Sequence, residues 1–471
     1  MKKVYLGAVA VFVLSLLLLL ACTQGGEKRY APGNLEDLNF SDMNNSLDKS
    51  FASRFGVDSA LTEYGVPTTL GELGGGMAGL NGICYPQTNF DETFLAYADE
   101  GMALQVNLLA CGKLGPSRYN TEIPKDIENY KDWIKGIVGR YKGKIKYYQI
   151  DSEPNAGSYF ENGKKVIRIA DEGFMGTKED FVSLLDAAYS AAKEADPEVK
   201  ILCCGWAIGD LFNDGPTVEE VNEAVKKAPE IHKSAFEFAE YVMKNGKYDI
   251  ASFHHNSEYE GTAQSIVNWA RQYTDKPIWF DDMASGPNLF RVFNPEDTSA
   301  LKQKYDIMSD TTNPKYAQVT LEMDALQAEF MTKKTVTSFA AGVDKVFIVW
   351  SVDAPSYPLV HFRHFGLIRA SDGGKKPVFY TYKLLMEKID LFTESSKIKE
   401  DLYKFSFVDK SPIFVAWSDG GEKSIDVEEY LGTKKAKITH IITLPEETNP
   451  LVEIIDSNSI LVGSSPIIIE A

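Results

Sequence analysis

The chain has 471 residues, 44% of them hydrophobic and 25% charged, the composition of a folded protein and not of a disordered one. That length is too great for one ordinary core and suits a barrel of about 250–350 residues plus a small second domain. A formal net charge of -18 argues against a nucleic-acid partner, because phosphate binding needs a basic face.

The first 21 residues read as a targeting segment. Lys2 and Lys3 form a short positive start, and an apolar run follows from Val4 to Leu20. The run ends Leu19-Leu20-Ala21-Cys22, which looks like a bacterial lipobox. It implies cleavage before Cys22, lipid on that cysteine, and an extracytoplasmic, membrane-anchored lipoprotein at the cell surface or in the periplasm. The alternative is a single transmembrane anchor. Residues 22–34 then act as a polar tether. Four cysteines remain. Cys203-Cys204 falls inside a strand-like run and Cys111 ends another, so buried free thiols are expected. A Cys84–Cys111 disulfide is the alternative outside the cytoplasm. No Cys/His spacing fits zinc, and neither metal nor cofactor is expected.

Residues 30–60 carry weak signals, with a first strand expected somewhere in 35–60. Val66 to Gly71 reads as a second strand running into Gly74-Gly75-Gly76, with Glu72 at its end. Residues 89–100 predict a helix and Ala103 to Ala110 a strand. Over 125–142, Ile127, Tyr130, Trp133, Ile134, Ile137, Val138 and Tyr141 fall at helical spacing. Tyr147 to Ile150 is a strand. Thr177 with Asp180 suggests a capping box, opening a helix that Asp196-Pro197 stops. Strands follow at Val199 to Cys204, Asp249 to Phe253, Pro277 to Phe280 and Val346 to Trp350. Helices are expected at 235–244, 262–273, 315–340 and 377–390.

Short buried strands alternating with helices imply a parallel sheet. Periodicity does not separate a closed (β/α)8 barrel from an open doubly wound sheet. The absence of G-x-G-x-x-G after a strand weakens the dinucleotide-binding form of the latter. Beyond about 392 short β runs take over: Leu402 to Phe407, Pro412 to Trp417, Ala436 to Thr443, Leu451 to Ile455, Ile460 to Gly463 and Ile467 to Ile469. They read as a small all-β sandwich. The expected organisation is a signal peptide (1–21), a tether (22–34), an α/β domain of TIM-barrel type (35–391) and a β-sandwich domain (392–471).

In such a barrel the C-terminal strand ends converge on one mouth. The candidates are Glu72; Asp151, Ser152, Glu153 and Asn155; Trp206; His254, His255 and Asn256; Asp281 and Asp282; and Trp350 with Asp353 beyond. Glycoside cleavage needs one carboxylic acid to protonate the leaving oxygen and one carboxylate facing the anomeric carbon. Strands 4 and 7 stand nearly opposite, so Glu153 and Asp282 can flank a sugar. Repulsion and partial burial would keep one of them protonated near neutral pH. Trp206 and Trp350 could stack on sugar faces. His254 and His255, adjacent on one strand, should point to opposite faces and so not ligate one ion together. Any one of these residues alone is as readily a loop acid or a core aromatic; the constellation carries the argument.

The stretch Arg140-Tyr141-Lys142-Gly143 followed by Tyr147-Tyr148-Gln149-Ile150-Asp151-Ser152-Glu153-Pro154-Asn155 resembles the strand-4 signature of clan A glycoside hydrolases. Lys193-Glu194-Ala195-Asp196-Pro197, Asp249 to His254, Lys276 to Phe280, Gly342 to Trp350, Gly366-Leu367-Ile368 with Lys376-Pro377, and Ser465 to Glu470 resemble later parts of the same pattern, in order. The likeness covers roughly 65–471 and is closest to β-xylosidase-like members. It implies Glu153 as acid/base, His254 as the strand-6 histidine near the nucleophile and Trp350 as the strand-8 sugar platform. Two positions depart from it. The asparagine before the acid/base is Ser152, and the strand-7 nucleophile glutamate is replaced by Asp282, preceded by Asp281. Aspartate sets its carboxylate roughly 1.5 Å further back. The resemblance therefore implies a glycosidase of β-linked saccharides with Asp282 as nucleophile. Asp282 as a base activating water, or a barrel that binds glycans without cleaving them, stay open beside it.

Overall fold

The structure, a computed structural model, describes residues 41–58, 61–62, 65–111, 120–161, 164–169, 173–208, 217–257, 261–289, 298–357 and 359–471. The expected signal peptide, Cys22 and the tether lie outside the described residues. No helix among the described residues is long and apolar enough to cross a membrane.

Eight parallel strands close into a ring: β1 (Phe55–Asp58), β2 (Met77–Cys84), β3 (Ala103–Leu109), β4 (Tyr147–Ile150), β5 (Lys200–Trp206), β6 (Ile250–His255), β7 (Ile278–Ala284) and β8 (Lys345–Val349). Each strand pairs with its sequence neighbours. The ring is completed by β1 against β8, where Phe55 faces Val346, Gly56 faces Phe347 and Val57 faces Ile348. That pairing excludes the open sheet.

The second strand is the element the sequence misplaces. Val66–Gly71 is a helix, with Pro67 in its first turn and Val66, Pro67 and Leu70 buried along one side. Proline suits a first helical turn, and this burial has helical rather than alternating period. β2 begins later, in the glycine-rich Met77–Cys84, where composition argues against a strand. Glycine is required there by crowding: a Cβ on Gly79 would stand 2.5 Å from Asp58 Oδ1. Glu72 is consequently a helix C-cap residue paired with Lys375, not a strand-end acid.

Aromatic contacts between strands show what fills the ring. Tyr147 of β4 meets Trp279 of β7 with ring centroids 4.7 Å apart, and Trp279 stacks on Phe347 of β8 at 5.9 Å. These rings form a lumen layer. Strand period 2 then sends Gln149, Asp151 and Asp281 inward above them.

Last come β9 (Glu394–Lys399), β10 (Leu402–Ser406), β11 (Ile413–Ala416), β12 (Lys423–Ile425), β13 (Lys435–His440), β14 (Val452–Asp456), β15 (Ile460–Val462) and β16 (Ile467–Glu470). Six of them form an antiparallel sheet in the order β9-β10-β11-β16-β13-β14, and β12 pairs with β15 in a second small sheet, the expected sandwich. It leans on the barrel helices: Ser395 Oγ donates to Phe339 O at 2.7 Å, and Thr381 Oγ1 to Ile442 O at 2.7 Å.

The cysteines correct the expectation of free thiols. Cys84 and Cys111 are joined, as are Cys203 and Cys204. The first pair follows from topology. Cys84 ends β2 opposite Leu109 of β3, which leaves the two Cα atoms 5.4 Å apart, inside the range a disulfide spans.

Candidate active site

The chain leaves β4 through a strained turn. Asp151 (φ 64°) and Glu153 (φ 49°) are both left-handed, a region that costs a non-glycine residue about 1–3 kcal/mol and clusters at functional sites. The surroundings hold the turn in place. The Glu153 N–H donates to Cys204 O and Gly205 O, both at 3.1 Å, and the Asp151 N–H to Leu108 O at 3.0 Å. Arg168 is fully buried and donates to the carbonyls of Pro154 (3.2 Å), Phe174 (2.6 Å) and Gly176 (3.1 Å). The backbone after Glu153 is thereby clamped.

His254 is the hub. Its Nδ1 is hydrogen-bonded to Glu153 Oε1 at 2.6 Å and stands 3.9 Å from Asp282 Oδ2; its Nε2 stands 3.9 Å from Asp281 Oδ2. Sharing one nitrogen as neighbour, the Glu153 and Asp282 oxygens lie within about 6.5 Å of each other. Their carboxyl carbons are then within about 9 Å, inside the separation that glycoside-cleaving carboxylate pairs use. Gly205 makes the room: a Cβ there would meet His254 Nε2 at 2.4 Å.

Asp281 and Asp282 are consecutive, so plain alternation would send one to the lumen and one to the helices. A register shift between Phe280 and Met283, matched by one between Phe253 and His254, places an irregularity at this point. Such bulges re-aim side chains beside active sites, and here both aspartates approach His254. His255 follows the alternation rule: it packs on Phe280 at 5.0 Å, away from His254.

Burial sets the protonation states. It raises the Glu153 carboxyl above the ordinary glutamate value, with Asp282 adding to the rise and His254 opposing it. Burial opposes a charge on His254, but Asp282, Glu153 and Asp281 outweigh it and push the ring up to about 10. Burial raises Asp281 to about 7 and Asp151 to about 6. A buried acid biased toward protonation beside a more exposed carboxylate is the division of labour that acid-assisted glycoside cleavage requires. The side chain of Asp282 is 24% exposed against 10% for Glu153.

The remaining candidates divide. Ser152 is half-buried with its N–H donating to Asp151 Oδ1 at 2.8 Å. Asn256 is half-buried, and its carbonyl accepts from Asn288. Trp350 packs edge-on against Tyr357 at 5.4 Å with its indole nitrogen unpartnered. Two assignments are withdrawn. Trp206 is wholly buried between Phe181 and Phe238, so it has no open face for a sugar. Asn155 is likewise wholly buried and spends its amide on Ala207, accepting from N at 3.1 Å and donating to O at 3.4 Å. Asp353 is held by Lys376 Nζ at 3.3 Å and the Gly366 N–H at 2.9 Å. Among the described residues no three His, Cys, Asp or Glu side chains group so as to hold a metal ion. Residues that sequence reasoning passed over are Gly205, Arg168 and Gln149. The positive φ of Gly205 and the carbonyls around Arg168 have no local signature.

No family model and no curated protein matches the sequence. Solved structures do. A family 39 glycoside hydrolase from the gut symbiont Bacteroides cellulosilyticus WH2 aligns with a TM-score of 0.56 at 13% identity, over 89% of this chain and 80% of that one. A conserved exported protein from Bacteroides fragilis aligns at 0.54 and 12% identity, over 88% and 96%. A glucosidase from Croceicoccus marinus aligns at 0.50 and 12% identity, over 90% and 97%. What these proteins share with this chain is the fold. Any activity has to be argued from the carboxylates at the barrel mouth.

Proposed function

We propose that the protein is a glycoside hydrolase acting on β-linked oligo- or polysaccharides, with Glu153 as acid/base and Asp282 as nucleophile. One observation carries this reading. A buried Glu153, its carboxyl raised above the ordinary glutamate value by burial, and a more exposed Asp282 share the same nitrogen of His254. In the first step the Glu153 carboxyl protonates the glycosidic oxygen as the C–O bond breaks and Asp282 bonds to the anomeric carbon. In the second, Glu153 takes a proton from water as that water displaces Asp282. Glycosidases among the structural neighbours, including the family 39 enzyme, support the reading. Release of p-nitrophenol from a panel of aryl β-glycosides, and its loss in Glu153→Gln, tests it. Proton NMR of the first-formed anomer separates retention from inversion, the outcome if Asp282 instead activates water. Glycan binding without turnover in the wild type would support a binding lipoprotein.

We further infer that the chain is exported and anchored through lipid on Cys22, facing carbohydrate outside the cytoplasm. Incorporation of labelled palmitate, absent in Cys22→Ala, is the corresponding measurement.

A further inference from the structure

The mechanism above uses Glu153 and Asp282 and leaves a third acid unexplained. Asp281 is buried, its carboxyl takes a side-chain hydrogen bond from the neutral Gln149 while its Oδ1 has no partner among the described residues, and the cationic group facing it is His254. The two ring nitrogens of His254 face different carboxylates: Nδ1 faces Glu153 and Asp282, and Nε2 faces Asp281. Around the ring, β4 contributes Glu153 and the neutral Gln149, β5 contributes the uncharged Gly205, and β7 contributes Asp281 and Asp282. Among the described residues, every charged side chain acting on it is therefore anionic.

A neutral imidazole carries one N–H. With the proton on Nδ1, its Nε2 lone pair would face a buried carboxylate. With the proton on Nε2, the Nδ1 lone pair would face Glu153 at 2.6 Å, tolerable only while Glu153 keeps its own proton. Only the doubly protonated ring serves both sides when the carboxylates are ionised. We propose that Asp281 is a positioning residue: from behind the ring it holds His254 doubly protonated, so that the Nδ1–H stays directed at Glu153 through the catalytic cycle. The consequence for catalysis rests on the glycosidase reading, but the ring's charge state does not. A positive ring lowers the proton affinity of Glu153, which burial raises. Asp281 thus helps Glu153 to change from acid to base between the two steps.

The full chain has six histidines, so a sample labelled with nitrogen-15 in histidine alone resolves the question. The signal that vanishes in His254→Asn belongs to His254. At pH 8 both its ring nitrogens should show the shifts of a protonated imidazolium. In Asp281→Asn the ring should titrate about 1–3 units lower, an affinity for the proton weaker by about tenfold or more, and Asp281→Glu should restore most of that loss. The alkaline limb of kcat/KM should move to higher pH in Asp281→Asn, a change that mere loosening of the fold would not produce. A neutral His254 in the wild type at pH 8 overturns the inference without any variant, as does a ring whose charge is indifferent to Asp281→Asn. Absence of glycoside turnover would instead overturn the proposed function and leave the NMR result standing.

Discussion

Glu153 and Gly205 are tied twice: the Glu153 N–H donates to the Gly205 carbonyl at 3.1 Å, and the missing side chain of Gly205 is what lets His254 reach Glu153. A Cβ at Gly205 would stand 2.4 Å from His254 Nε2, on backbone with φ +64°. Gly205→Ala should therefore displace the imidazole and strain the strand end, at about 1–3 kcal/mol of stability. Activity on aryl glycosides should drop by about tenfold or more, because the ring no longer meets Glu153. Thermal unfolding and kcat/KM on the same preparation check it; wild-type kcat/KM in a stable Gly205→Ala protein would contradict the role given to the ring.

Asp151 is a buried acid with no cationic partner among the described residues. Thr121 Oγ1 donates to it at 2.6 Å and the Ser152 N–H at 2.8 Å, yet burial still raises it from 3.8 to about 6. A raised carboxyl favours folding below its unfolded value, and that advantage is lost as pH climbs through about 6. Asp151→Asn should accordingly stabilise the protein at pH 8 relative to the wild type, by something on the order of 3 kcal/mol at most. Little of that gain should appear at pH 4. Denaturant midpoints at the two pH values decide the matter, and an equal effect at both would rule out ionisation as the cause.

Arg168 secures the turn behind Glu153 by donating to three backbone carbonyls. Arg168→Met keeps bulk and removes the donors, so those carbonyls lose charge-assisted bonds worth about 1.5–3 kcal/mol each at the upper end. We expect a fall of about 2–4 kcal/mol in unfolding free energy, smaller than the sum because water can reach part of the gap. Turnover should fall further than stability alone explains, since Pro154 adjoins the acid. A calorimetric scan read beside kcat would show it.

Trp206 separates core from site. Its burial between Phe181 and Phe238 makes Trp206→Ala a cavity-forming change of about 3–5 kcal/mol. In Trp206→Phe, which keeps most of the packing, KM for any saccharide should stay near the wild-type value while the melting temperature drops. A selective rise in KM would return this residue to the list of sugar contacts.

Much of this molecule is visible in local pattern. Tyr147–Ile150 is a strand in both readings, and the capping box of Thr177 with Asp180 forms as read, opening the helix Lys178–Ala195. Such features depend on neighbours a few residues away, and apolar period or cap chemistry records them directly. The turn after β4 is legible for the same reason, because Glu153-Pro154 must leave the strand there.

What the sequence by itself determined is the alternation of strand and helix, the change to β structure beyond about 392, and the acids that end strands 4 and 7. Tertiary structure decided the rest. Closure of the ring depends on β1 meeting β8 across almost 300 intervening residues, which no local window senses. β2 is hidden in glycines that crowding against Asp58 demands. Asp281 and Asp282 both approach His254 at a register shift that plain alternation does not foresee. Trp206 and Asn155 turned out to be packing residues because burial is a property of the assembled barrel. Short-range preferences are written residue by residue, whereas register, closure and burial are settled by contacts between distant segments.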